Sequence, residues 1–421
     1  MRSFYKLAVS WSWILALGLP LANAAEPVVV EAEAAKAADE SLASHEQLNA
    51  VEVKGKEAGT LQTLTVTKDG TVVGLVGASR YAPIGVAGKA ANSELHLFDR
   101  DGKAIKQWVL PFKGQAVGTG PDGTIYVAGD GRVAKYAADG KLLSEAEVPH
   151  LAAVLKDQDS LRKTAEAQRE SEQASYKNTI KVYEDNIKRL EDKGDALTDL
   201  EKRQLTAFKS NIKMYATVIE SHAKRTVDDI VGQLTGRMRT INSIAATDKD
   251  VYIACGELKG YGYAIWRMDT DFKSAERVLG PVSGCCGQMD VQAHGDSFYI
   301  AENTKKRVAQ YDRTGKLVNA FGKNGRESVG LEFAGCCNPM NCRVCDNGDI
   351  YTSESEGIVK RFSASGEFLG LVGYAKLTGG CKNVAVAASP KGDRVYFCDL
   401  PGSRFIILAA KKDQDAAGGG K

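Results

Sequence analysis

Two cysteine doublets pose the chemical question. SGCCGQMDV (283–291) and AGCCNPMNCRV (334–344) each set Gly-Cys-Cys shortly ahead of a methionine, and TGGCKNVAV (378–386) repeats the frame with one cysteine. Cys285 with Cys286, or Cys336 with Cys337, could close on itself. Neighbouring Cα atoms sit ~3.8 Å apart, whereas a relaxed disulfide wants ~4.4–6.8 Å. A vicinal bridge therefore stores strain of the kind found at functional sites and makes a rigid apolar plate. Each cysteine could instead pair elsewhere, for example with Cys381 or Cys342. Soft sulfur also suits copper(I), for which Cys285, Cys286, Met289, Cys336, Cys337 and Met340 would be the donors. Recurrence of the doublet at one repeat position, with glycine before it, favours the vicinal bridges. The nine cysteines are an odd number, so at least one remains a thiol or pairs between chains. Cys342 and Cys345 have CxxC spacing, but Asp346 rather than histidine follows, which excludes c-type haem attachment. On a strand those two side chains fall on opposite faces, against a zinc knuckle or a redox CxxC.

A second set carries oxygen. Counted back from the tyrosine of each following strand, four consecutive first strands begin with Asn242, Asp290, Asn341 and Asn383, where the first two copies have Thr63 and Ala116. Amides and a carboxylate circling a channel mouth could hold a hard cation such as Ca2+, or a polar ligand; equally, each could satisfy its own loop. Glu302, Glu354 and Asp399 close second strands and could serve as acids or bases or brace the following turn. Histidine is scarce: His45, His96, His150, His222 and His294. The reading leans against an enzyme.

These residues need a scaffold, and the repeats supply it. DGTVVGLVG (69–77), DGTIYVAGD (122–130), DKDVYIACG (248–256), GDSFYIAEN (295–303), NGDIYTSES (347–355) and GDRVYFCDL (392–400) are six copies of one strand pattern. With their flanking strands they form units of roughly 45 residues and four strands, which implies an all-β fold, a six-bladed β-propeller. YIAENTKKRVAQYDRTGKLVNAFG and NPMNCRVCDNGDIYTSESEGIVKRF resemble NHL repeats, over residues 50–150 and 236–410 and most closely over 283–372. That resemblance implies a propeller whose second strands end in an acidic residue. Its function would range from protein- or RNA-binding modules to the lyases and lactone hydrolases among related propellers. Residues 48–55 alternate as a strand that could complete the last copy and close the ring.

Between the second and third copies the strand pattern stops. Tyr176, Ile180, Tyr183, Ile187 and Leu190, then Leu205, Phe208, Ile212, Tyr215 and Ile219, trace two coiled-coil seams mirrored about residues 197–198. Residues 151–236 therefore read as an inserted antiparallel helical hairpin with arms of roughly 35 residues, each ~50 Å long, with Thr198 and Glu201 as a capping box. It is either an arm for a partner or self-association, or a passive decoration. In a propeller the loops before first strands and the ends of second strands share one rim. The cysteines, Glu302, Glu354, Asp399 and the hairpin are thus expected on one face.

The chain opens with Arg2 and Lys6, an apolar run and Ala22-Asn23-Ala24, the layout of a cleaved secretory signal. The expected plan is signal peptide 1–24, flexible leader 25–45, blades 1–2 with the closing strand 46–150, hairpin 151–236, blades 3–6 in 237–411 and a flexible tail 412–421. The product is exported, without a membrane span. Charge is balanced, 55 basic against 53 acidic residues, so there is no footprint for nucleic acid. The expectation is a module binding a protein or small ligand through the cysteine face. A calcium-dependent propeller lyase or lactonase and a copper or thiol redox protein are the alternatives.

Overall fold

Alternating apolar residues between Asp-Gly, Asn-Gly and Ser-Gly turns fold into short antiparallel strands. A computed structural model describes residues 41–56, 59–78, 92–285, 289–378 and 385–411. Two units emerge, one from the chain before His150 and after Met238, the other from His150–Met238. The signal, most of the leader, the tail, Cys286, Cys381 and Asn383 lie outside the described residues. Among the described residues no helix is long and apolar enough to cross a membrane.

The first unit holds six four-stranded antiparallel sheets. In order they are sheet I (Thr60–Val66, Val72–Gly77, Glu94–Phe98, Ala104–Val109), sheet II (Ala116–Thr119, Ile125–Gly129, Arg132–Tyr136, Leu142–Glu147) and sheet III (Ile241–Ala246, Asp250–Gly256, Tyr263–Asp269, Ala275–Val282). Sheet IV follows (Val291–His294, Ser297–Glu302, Arg307–Asp312, Leu317–Phe321), then sheet V (Asn341–Val344, Ile350–Ser353, Ile358–Phe362, Phe368–Tyr374) and sheet VI (Val386–Ala388, Arg394–Asp399, Arg404–Ala410). Sheet VI takes its fourth strand from the other end of the chain. His45–Glu52 pairs with Arg404–Ala410 from His45↔Ala410 to Glu52↔Arg404, so the closing strand takes in His45, the last residue read as leader. The pairing also covers an edge that would otherwise be open.

First strands touch in a closed cycle, I to II, II to III and on to VI, which returns to I. That cycle is a propeller arrangement, each sheet packing its faces on its neighbours. Tyr252 of sheet III meets Phe298 of sheet IV at 5.0 Å between ring centroids, Phe321 of IV meets Phe362 of V at 4.9 Å, and Phe405 of VI meets Phe98 of I at 5.1 Å. Burying one such ring contributes about 1.5–3 kcal/mol. The turns are built by side chains: Asp312 Oδ1 accepts the Thr314 and Lys316 N–H groups at 2.9 and 3.1 Å.

The second unit is helical. Helix α1 (Pro149–Lys156) precedes α2 (Gln158–Glu191, 34 residues), α3 (Asp199–Ala223, 25 residues) and α4 (Val227–Arg239). The reciprocal capping box at Thr198 and Glu201 starts α3. Tyr183 packs against Phe208 and Tyr215 at 5.6 and 5.7 Å, and Tyr176 against Tyr215 and His222 at 6.4 and 4.8 Å. Each ring of α2 thus sits between two rings of α3, which straddle the level the mirrored seams imply. The second arm is not one helix of roughly 35 residues. Thr226 caps α4, its Oγ1 accepting the Asp229 N–H at 3.1 Å while Asp229 Oδ2 accepts the Thr226 N–H at 2.8 Å. That cap ends the arm at Ala223 and starts a new helix.

Candidate functional site

Alternate residues of the six first strands face the axis, as period-two geometry requires. Thr63, Ala116, Ser243, Asp290, Asn341 and Ala385, one from each sheet, line a cavity of about 30 Å³ together with Asn242 and Met289. This is room for roughly two waters. In sheets I, III and V the pairing puts Thr63 opposite Leu75, Ser243 opposite Ala254 and Asn341 opposite Ser353. The count back from tyrosine places Asn242 at this level; the register places Ser243 there. A bulge between Ile241 and Ser243 inserts Asn242 one residue earlier. In sheet VI Ala385 holds the level, its carbonyl accepting the Cys398 N–H at 2.9 Å.

Asp290 is buried in this ring. Its Oδ2 accepts the Cys342 N–H at 2.9 Å and its Oδ1 accepts Gln292 Nε2 at 3.2 Å. Burial lifts its carboxyl to about 6, against the pull of those bonds and of Arg343. One turn of the pleat deeper, Arg343 reaches across the channel. Its Nη1 donates to Thr65 Oγ1 at 3.3 Å and Gln292 Oε1 at 3.2 Å, and its Nη2 to the Val66 carbonyl at 3.2 Å. Below this crossbar the channel opens into a second cavity of about 110 Å³. It is lined by the ends of all six first strands and their turns, including Lys68, Asp248, His294 and Asp346. Sequence reasoning missed Arg343, noting it only as a spacer within CxxC; its place two residues beyond Asn341 was the available signal.

Calcium does not fit the ring. It asks for six to eight oxygens with several carboxylates, and the described ring offers one carboxylate, already bonded at both oxygens and beside a guanidinium. Among the described residues no cluster of three or more His, Cys, Asp or Glu side chains is arranged to hold a metal ion.

The acidic residues at second-strand ends are taken up structurally. Glu302 bonds Arg307 and, at 2.8 Å, Lys305 Nζ. Glu354 pairs with Lys360 at 2.9 Å and accepts from Ser328. Asp399 pairs with Arg404 Nε at 2.8 Å and accepts Thr378 Oγ1 at 2.7 Å. All three carboxylates are buried, and each ties its own strand end to the next strand or to a loop.

The sulfurs divide. Cys285, Cys337 and Met340 share one buried cluster, whereas Met289 belongs to another. Cys337 Sγ lies 2.9 Å from Cys285 Sγ and 2.9 Å from Cys336 Sγ. Both separations are longer than the ~2.04 Å of a bonded pair. Cys336 is exposed, and Cys285 and Cys337 are buried. Two enclosed asparagines fix these loops. Asn303 Oδ1 accepts the Cys285 N–H at 2.9 Å, and Asn338 Nδ2 donates to the Ala334 carbonyl at 2.9 Å while its Oδ1 accepts the Ser355 N–H at 2.9 Å. Burial pushes the Cys255 and Cys345 thiols up, to about 12 and about 11, and the Cys342 thiol up as well, which leaves all three inert as nucleophiles. His150 is buried in the helical unit with Nε2 2.8 Å from the Met238 carbonyl. Burial lowers it to about 4.

No family model matches this sequence, and no curated protein does. Solved structures with a similar course include a Bacteroides thetaiotaomicron protein of unknown function, at 10% identity and TM-score 0.46 over 87% of this chain and 74% of that one. A calcium-binding protein, regucalcin, from Agrobacterium tumefaciens aligns at 12% identity and TM-score 0.42, over 86% of this chain and 93% of that one. A gluconolactonase from Xanthomonas campestris aligns at 11% identity and TM-score 0.40, over 87% and 99%. At such scores the propeller assignment rests on the sheet topology itself.

Proposed function

We propose that the protein is an exported, non-enzymatic binding module, a six-bladed propeller of NHL type, that takes the anionic group of a small ligand or side chain into the channel mouth floored by Arg343. One observation carries this reading. The guanidinium stands at the floor of a cavity to which all six sheets contribute, held only by neutral oxygens. A guanidinium carries more donors than these three bonds use, and among the described residues it makes no ion pair. A low-dielectric recess with a fixed cation favours a carboxylate or phosphate. The rim sets one lysine, Lys68, against two carboxylates, Asp248 and Asp346, so attraction for an anion comes from the floor. About 110 Å³ is small beside the ~300–1,000 Å³ of a drug-sized site, which suits one anionic group rather than a whole metabolite. The cavity lies at the far ends of the strands that the cysteine loops lead into, so binding is proposed on the opposite rim from the one the cysteines mark. A thermal-shift screen of small mono- and dicarboxylates and inorganic phosphate tests the reading: stabilisation by at least one anion supports it, and none at tens of millimolar overturns it.

A further inference from the structure

We infer that Cys336, Cys337 and Cys285 form a thiol–disulfide relay, in which an exposed cysteine takes up oxidation from a low-molecular-weight disulfide and passes it inward to a bond between the loops ahead of sheets IV and V. This is independent of the anion site, which lies at the other end of the strands. Three observations carry it. Cys337 Sγ is 2.9 Å from two sulfurs at once and can bond only one of them at a time. The outer of these, Cys336, is exposed, while Cys337 and Cys285 are buried. The backbone around both buried sulfurs is clamped by Asn303 and Asn338, which are themselves enclosed, so the loops that carry the sulfurs are fixed.

Each step is an ordinary exchange through a mixed disulfide. The Cys336 thiolate attacks the external disulfide RSSR, forming Cys336–S–S–R and releasing RS−. The Cys337 thiolate attacks Cys336 Sγ, forming the vicinal bond and releasing a second RS−. The Cys285 thiolate then attacks Cys337 Sγ, forming Cys285–Cys337 and returning Cys336 as thiolate. Protons lost by Cys285 and Cys337 end on the two RSH. Two protein thiols are oxidised, one external disulfide is reduced, and Cys336 is regenerated. The last step runs forward because adjacent Cα atoms sit ~3.8 Å apart, too close for a relaxed bridge, whereas Cys285 and Cys337 belong to separate loops. The vicinal bond is thus an intermediate, not the resting state.

The test treats the reduced full-length protein with glutathione disulfide and follows linkages by non-reducing mass mapping after rapid alkylation. The wild type should show glutathione on Cys336 first and the Cys285–Cys337 bond later. Cys336→Ser, an exposed change, should slow that bond at least tenfold. Cys285→Ser should accumulate the vicinal Cys336–Cys337 bond. Should Cys285→Ser fold poorly by circular dichroism, the order of adducts in the wild type decides alone. A Cys285–Cys337 bond that forms in Cys336→Ser at the wild-type rate overturns the relay, as does linkage of Cys285 or Cys337 to a cysteine outside these three.

Discussion

Glu354 and Lys360 form an ion pair, Oε1 to Nζ 2.9 Å, with both side chains enclosed to within 1% of full burial. Burial pushes the Glu354 carboxyl up and the Lys360 amine down, and each charge opposes the other's shift. Lys360 also donates to the Glu332 carbonyl and lies 4.3 Å from the centroid of the Phe333 ring. The pair joins the end of one strand of sheet V to the next and to the loop before the sheet. It brings an acidic residue that could pass for a ligand into the skeleton of the fold.

Removing one partner leaves the other buried and uncompensated, which costs about 3–5 kcal/mol. Lys360→Met should therefore lower stability in urea unfolding by that amount, and adding Glu354→Gln should restore most of it. A loss under about 1 kcal/mol in the single variant would show that the pair is not desolvated as described.

Asp290 gives the fold a pH dependence of known sign. Its folded carboxyl sits at about 6 against an ordinary 3.8, so the folded state binds this proton more tightly. The stability it contributes is complete below the ordinary value and is lost as pH rises through about 6. Asp290→Asn removes that loss. Its advantage over wild type should be near zero at pH 4 and grow to about 2–3 kcal/mol at pH 7, read from urea midpoints at both values. A constant difference across the range would mean that Asp290 does not titrate there.

Gly315 sits at φ +85°, and a Cβ there would lie 1.9 Å from the Val278 carbonyl oxygen of the neighbouring sheet. The left-handed backbone alone costs a side chain about 1–2 kcal/mol, and the clash adds to it. Gly315→Ala should lower stability by at least about 2 kcal/mol, whereas Gly123→Ala, at φ +81° with open space around it, should cost only the backbone part.

The strands were legible because period-two alternation between Asp-Gly turns leaves few other readings, as DGTIYVAGD shows in Ile125–Gly129. The ring of axis-facing residues was legible in four sheets, missed by one position in sheet III, and in sheet VI Ala385 holds the level two residues beyond Asn383. Counting back from Tyr252 slips because the connection between Ala246 and Val251 is one residue shorter than its counterparts in sheets I, II and V. The break between α3 and α4 did leave a mark, Thr226 three residues before Asp229, but the apolar spacing of the seams outweighed it. Arg343 was hidden by its neighbours, since a CxxC frame draws the eye to the sulfurs. Glu302, Glu354 and Asp399 could not be told from ligands until their cations Arg307, Lys360 and Arg404 were seen folded against them.

The helical insertion starts and ends at one point of sheet II. Gly131 donates to the Arg239 carbonyl at 3.0 Å and accepts the Val148 N–H at 2.9 Å. Replacing His150–Met238 by a short glycine linker should thus leave the propeller folded, with thermal unfolding within a few degrees of the parent, since short closures cost little. Sedimentation of the two proteins then tests self-association: a lower assembly state without the insertion assigns it that role, and an identical state denies it.

The channel mouth is the centre of the functional reading, and Arg343 is its test. With an anion that stabilises the wild type, calorimetric titration should give at least tenfold weaker binding in Arg343→Gln, with unfolding of the unliganded variant still cooperative. Arg343→Lys should bind with intermediate affinity, since the charge remains while the planar donor array is lost. Equal affinity in wild type and Arg343→Gln would contradict the account and move the binding site elsewhere.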